Sequence, residues 1–126
     1  YPFCIAKLEE DEYGNCHKKT ENFVSCGIIA VDIDNEDPDN YWPYEDAVAN
    51  PFVVKNALCG YTTPSSTEEH NRFRISFELP DTITDKDEVV QLNKALNFKF
   101  NGDTATVSCV QSFFGCTNSK SEFFGN

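Results

Sequence analysis

The chain has no methionine, one tryptophan, two histidines, and only 10 lysines and arginines against 21 aspartates and glutamates. Each shortage excludes something. A net charge of −11 argues against a general nucleic-acid coat protein, whose affinity rests on pairing many cations with phosphates. It leaves room for an enzyme acting on nucleotides, because carboxylates that hold metal ions belong to the acidic count. No apolar run approaches the ~18 residues of a membrane span, so no membrane partner is expected. The opening residues, Tyr1 to Lys7, lack the apolar stretch of a signal peptide. With no Met and Tyr at its first position, the chain is read as a piece of a longer protein. No two of the six cysteines (Cys4, Cys16, Cys26, Cys59, Cys109 and Cys116) stand in a C-x-x-C pair, so zinc has no spacing to support it. They are also too sparse for a disulfide scaffold, and Cys59 and Cys109 sit in apolar runs where cysteine acts as a small hydrophobe. All six are expected to be reduced in a cytoplasmic, intracellular protein. A secreted, disulfide-linked domain is the alternative.

What is present is enough bulk for one core: 40% apolar residues, with eleven Phe and five Tyr. One domain is expected over 1–126, with an N-terminal extension at 1–26, a core at 27–115 and a tail at 116–126. In the extension, Phe3, Ile5 and Leu8 suggest a strand, 10–15 a polar turn, and Phe23-Val24 a second apolar patch. The β-branched run 27–34 reads as a buried central strand, ended by turn formers at 35–40. Residues 44–50 and 52–56 look helical in two pieces broken by Pro51, and 57–63 is the next strand. Over 70–79 the alternation sends Asn71, Phe73, Ile75, Phe77 and Leu79 one way, and His70, Arg72, Arg74, Ser76 and Glu78 the other. That polar face is expected to stay open, with Pro80 ending the strand. Thr84 and Asp87 resemble a capping box for a helix over 85–97, Asn101-Gly102 a turn, and 103–110 a last strand. Phe113, Phe114, Phe123 and Phe124 read as core and docking residues.

From residue 27 onward the order is strand, helix, strand, strand, helix, strand. This α+β pattern predicts a ferredoxin-like (RRM-like) palm, βαββαβ, with a four-stranded antiparallel sheet and two helices on one face. That topology brings the end of the first strand beside the beginnings of the third and fourth. Asp32 and Asp34 then meet His70, Arg72 and Arg74, and Asp103. Two carboxylates on one strand face with a third beside them make a hard oxygen site suited to Mg²⁺ or Mn²⁺. The His and two Arg could hold nucleotide phosphates.

Three segments carry a resemblance. Ala30-Val31-Asp32-Ile33-Asp34-Asn35 is an apolar strand ending in two acidic residues one apart. Tyr61-Thr62-Thr63-Pro64-Ser65-Ser66, leading to His70-Asn71-Arg72-Phe73-Arg74, is a Ser-containing turn before a His. Asp103 onward to Phe113-Phe114-Gly115 is one acidic residue, a strand and an aromatic-Gly ending. Together, over about 27–115, they resemble the catalytic domain of archaeo-eukaryotic-type primases, as in the primase-polymerases of plasmids, phages and other mobile elements. The resemblance implies a DNA primase/polymerase-type nucleotidyltransferase joining nucleoside triphosphates on a single-stranded DNA template. It implies Asp32, Asp34 and Asp103 as ligands of Mg²⁺ or Mn²⁺, and His70 as a contact to the incoming nucleotide. Arg72 and Arg74 would assist at its phosphates, with Ser66 in the same nucleotide-binding set. A helicase or accessory domain is expected in the full-length protein. Two departures stand out: Gln111 where relatives place an Arg, and Ser108 where another acidic residue is frequent. The alternative function is a non-catalytic nucleotide- or partner-binding domain of the same fold.

Overall fold

The computed structural model describes residues 4–103 and 117–125. They form an α+β structure with one antiparallel sheet of five strands in the order β1-β2-β4-β3-β5, and three α-helices. The strands are β1 (Cys4–Glu10), β2 (Cys16–Ile33), β3 (Cys59–Thr62), β4 (Phe73–Ile83) and β5 (Ser121–Phe123); the helices are α1 (Tyr44–Ala49), α2 (Pro51–Asn56) and α3 (Lys86–Phe100). The expected strand over 103–110 falls, after Asp103, outside the described residues, as do Ser108, Gln111, Phe113 and Phe114.

The sheet is wider than the four strands expected. β1 and the first half of β2 make a hairpin whose turn is organised by Asp11. Its Oδ1 accepts from the Tyr13 and Asn15 amides, both at 2.9 Å, and Gly14 takes φ 82°. β5 joins the far edge beside β3, within a segment expected to be a tail. There Phe124 packs on the core while Phe123, expected to do the same, is 77% exposed.

One sheet face carries the core. Val31 and Ile33 of β2 and Phe73, Ile75 and Phe77 of β4 meet Tyr44 and Ala47 of α1, Val53 of α2 and Phe100 of α3. Aromatic rings mortar this layer: Tyr44 stands edge-on to Phe73 at 5.4 Å, and Trp42 to Phe100 at 5.7 Å. The two helical pieces expected around Pro51 are α1 and α2, and Pro51 opens the second rather than lying between them; its missing N–H is no loss there, and Asn50 caps α2 through the Phe52 and Val53 amides.

Three local expectations are corrected. Helix α3 is capped by Asp85, not Thr84; Asp85 accepts from the Asp87 and Glu88 amides, and Glu88 sits at the third helical position. β4 begins at Phe73 and continues past Pro80 to Ile83. Its register with β2 jumps between Cys26↔Ile83 and Ile28↔Glu78, and such an irregularity tolerates a residue with no N–H to donate. The polar face of β4 is not open: Arg74 is 9% and Ser76 1% exposed.

Candidate functional site

Cross-strand register explains how Arg74 tolerates burial. Asp32 lies directly opposite Arg74 in the β2–β4 ladder, so both side chains project from the same face. The guanidinium grips the carboxylate in a fork, Nε to Oδ1 at 2.8 Å and Nη2 to Oδ2 at 3.0 Å, while Nη1 donates to the Tyr61 hydroxyl at 2.9 Å. Burial pulls the Arg74 guanidinium down, but the Asp32 hydrogen bonds and charge, with Tyr61, outweigh it and hold it above its ordinary value. Arg74 therefore holds Asp32 rather than standing ready for a phosphate.

Beyond Asp32 the chain turns. Asn35 adopts φ 55°, a left-handed conformation that asparagine tolerates, and is buried. Its side-chain amide donates to the carbonyls of Trp42 and Asn71 and accepts from the Trp42 N–H, each at 2.8 Å. Asn71 repeats the device: Oδ1 accepts from the Tyr44 N–H at 2.8 Å, and Nδ2 donates to the carbonyls of Thr67 and Glu68. These two asparagines lock the turn after Asp34 to the loop before β4. Sequence reading placed Asn71 on an apolar strand face and Asn35 among solvated turn formers. The available signal was an Asn directly after the second acidic residue, where a chain reversal needs positive φ.

That locked loop carries His70, which precedes β4 rather than opening it. Its Nε2 lies 2.7 Å from the Asp34 carbonyl. A carbonyl only accepts, so Nε2 carries the proton, and in the neutral ring Nδ1 keeps the lone pair. Ser66 has a local part: its hydroxyl accepts from the Arg72 N–H at 3.0 Å. It lines a different cavity, with Tyr44, Thr62 and Lys120, away from the acidic turn. Arg72 reaches Glu36 at 3.1 Å, an ion pair with an exposed carboxylate and hence a weak tether.

Asp103 arrives from the other direction. Helix α3 ends on Asn101 in the left-handed region (φ 50°), and Gly102 passes so close to β2 that a Cβ there would overlap Asn97 Oδ1 and come within 2.6 Å of Val31 Cγ1. Only glycine allows that approach. The next residue, Asp103, donates its N–H to the Asp32 carbonyl at 2.7 Å.

The acidic residues of two distant segments thus line one cavity of about 300 Å³, formed by Asp34, Asn35, Glu36, Asp37, Asn101, Gly102 and Asp103. The Asp34 carboxyl is pushed above its ordinary value, first by burial, then by the charges of Asp32 and Asp103; Arg72 partly offsets this and Glu36 adds to it. Asp32, Asp34, Asp103, His70 and Arg72 therefore gather at one end of the sheet. Ser66 lies apart, and Arg74 belongs to Asp32. Among the described residues, no three His, Cys, Asp or Glu side chains are grouped closely enough to hold a metal ion as they stand. A larger cavity of about 760 Å³ lies between residues 40–42 and the end of α3, lined by Tyr41, Trp42 and Phe98 among others; it lacks carboxylates. No family model, curated protein or solved structure matches the chain.

Proposed function

We propose that the chain is the nucleotidyl-transfer palm of a primase-polymerase, joining nucleoside triphosphates along a single-stranded DNA template inside the cell, within a longer protein carrying a helicase or accessory domain. The observation that carries this reading is geometric: the Asp103 N–H bonds the Asp32 carbonyl at 2.7 Å, and Asp34 and Asp103 line one cavity, where burial first, then the charges of Asp32 and Asp103, raise the Asp34 carboxyl. A surface turn has no reason to gather carboxylates from two segments so far apart in sequence. A cation has. The ferredoxin-like arrangement is part of the proposal. β2, α1–α2, β3, β4 and α3 follow its order with β4 between β2 and β3. The Asp103 N–H bonded to the Asp32 carbonyl ties the chain after α3 to the end of β2.

The donor chemistry fits Mg²⁺ or Mn²⁺. Asp34 and Asp103 would hold the ion, joined by Asp32 through the lone pairs that the Arg74 fork leaves over. When bound, the ion neutralises phosphate charge and activates the attacking hydroxyl. The chain's own residues do the rest. Arg74 positions Asp32, His70 keeps Nδ1 to accept a proton or, once protonated, to donate to a phosphate, and Arg72, released from its exposed partner Glu36, supplies positive charge.

A second reading draws on the Asp32–Arg74 fork itself. A carboxylate already neutralised by a guanidinium suits a domain that binds nucleotide or a partner without catalysis. Calorimetric titration with Mn²⁺ and a nonhydrolysable triphosphate, alongside primer extension and unprimed synthesis on single-stranded DNA, decides between them. Metal-dependent triphosphate binding and labelled product, both lost in Asp34→Asn and Asp103→Asn, are expected. Binding without product selects the second reading, and neither binding nor product refutes both.

A further inference from the structure

We propose that Cys4 and Cys26 form a thiol–disulfide exchange site that clasps the N-terminal strand to the sheet. The two residues are direct partners in the antiparallel β1–β2 ladder. Direct partners project from the same face with Cα atoms about 4.5–5.5 Å apart. That separation lies inside the range a disulfide spans, roughly 4.4–6.8 Å. Both side chains sit in one apolar cluster, with Ala6, Phe23, Ile29 and Val89, so they share a pocket as well as a rung. Neither is in a disulfide in this structure.

Their surroundings divide the labour. Cys4 is half-buried near the start of an edge strand and can be reached by a dissolved disulfide. Cys26 is 4% exposed, and its thiol donates to the Ile28 carbonyl at 3.3 Å, so it is the shielded member of the pair. The order of events follows. The Cys4 thiolate attacks oxidised glutathione, forming a mixed disulfide and releasing one reduced glutathione. The Cys26 thiolate then attacks the Cys4 sulfur, forming the Cys4–Cys26 bond and releasing the second. Two thiols are oxidised, one glutathione disulfide is reduced, and both thiol protons end on glutathione. The second step needs no encounter between molecules, because the ladder already holds the two residues opposite each other.

The consequence is mechanical. β1 lies at the edge of the sheet with β2 as its partner, and register shifts fall between Ile5/Ala6 and Ala6/Leu8. A covalent rung at Cys4 would hold the strand where its hydrogen-bonded ladder is least regular. The same residues remain a relaxed dithiol under reducing conditions.

The test treats the folded chain with oxidised glutathione, blocks remaining thiols, and maps tryptic peptides without reduction. Cleavage after Lys7, Lys18 and Lys19 puts Cys4, Cys16 and Cys26 on three different peptides. The expected product joins residues 1–7 to 20–55, with a mass 2 Da below the sum of the two peptides. It should form in preference to any Cys16 pairing in the folded chain and lose that preference in denaturant. Cys26→Ser should leave Cys4 trapped as the glutathione adduct, showing which thiol reacts first. Three outcomes overturn the proposal: the wild type stopping at the Cys4 adduct, Cys4 pairing with another cysteine, or both thiols remaining fully alkylatable.

Discussion

Removing the guanidinium of Arg74 is the sharpest perturbation of the acidic end of the sheet. Arg74→Met keeps a long apolar stem but leaves the Asp32 carboxylate without its fork. The Arg74 and Asp32 side chains are only 11% and 15% exposed, and both fork bonds are short. Breaking such a pair from one side costs about 3–5 kcal/mol, because the remaining charge stays buried. Some water reaches the site, which argues for the lower end. The like charges of Asp34 and Asp103 nearby argue against any rescue. A loss of ~3 kcal/mol is therefore expected. That is a large share of a domain's stability, commonly ~5–15 kcal/mol, but survivable. Asp32→Asn should lose less, since an amide oxygen still accepts one bond from Arg74. The double variant should lose less than the two single losses summed, with a coupling of at least ~1.5 kcal/mol. Urea unfolding at pH 7 reads all three, with m-values checking that the unfolded state is unchanged. Repeating it in 0.5 M salt separates a buried pair from a screened one. A loss below ~1 kcal/mol for Arg74→Met, or a coupling that salt abolishes, would falsify the assignment of Arg74 as the residue that holds Asp32.

Two further outcomes are expected. Gly102→Ala should cost ~2–3 kcal/mol, because the new methyl meets two buried side chains and the Asp32 carbonyl at 3.0 Å; an unchanged urea midpoint would mean that α3 and β2 are not in that close approach. Asp34→Asn should stabilise the fold at pH 7. The Asp34 carboxyl sits above its unfolded value of about 3.8, so its ionised form is disfavoured in the folded state. The destabilisation is fully present above the folded pKa and fades as pH falls through it toward the unfolded value. The advantage of the variant in thermal melts should shrink along that window, and an advantage that grows on acidification would reverse the sign of the argument.

Local chemistry determined much of this molecule. The β-branched run 27–34, the interrupted helical stretch around Pro51, the helix after residue 84 and the polar turn at 10–15 are short-range features, and each could be read within a window of a few residues, though the helix cap was placed one residue early, on Thr84 instead of Asp85. Alternation along 70–79 likewise placed Asp32 and Arg74 on corresponding faces, and element order brought Asp103 toward Asp32. Pairing partners could not be read that way. Nothing local to residues 121–123 or 4–10 says which strand edge they complete, because edge pairing depends on backbone groups that every residue carries. Nor could the sequence show that Arg74 closes on Asp32 rather than on a ligand. Charge of the right sign and parity fits either, and only the β2–β4 register, setting the two residues opposite each other beside Tyr61, decided it. The asparagines went unread for a related reason. An Asn in a turn is ordinary until the fold surrounds it with backbone groups that lack partners, and only tertiary packing gave Asn35 and Asn71 the carbonyls and amides of segments far along the chain.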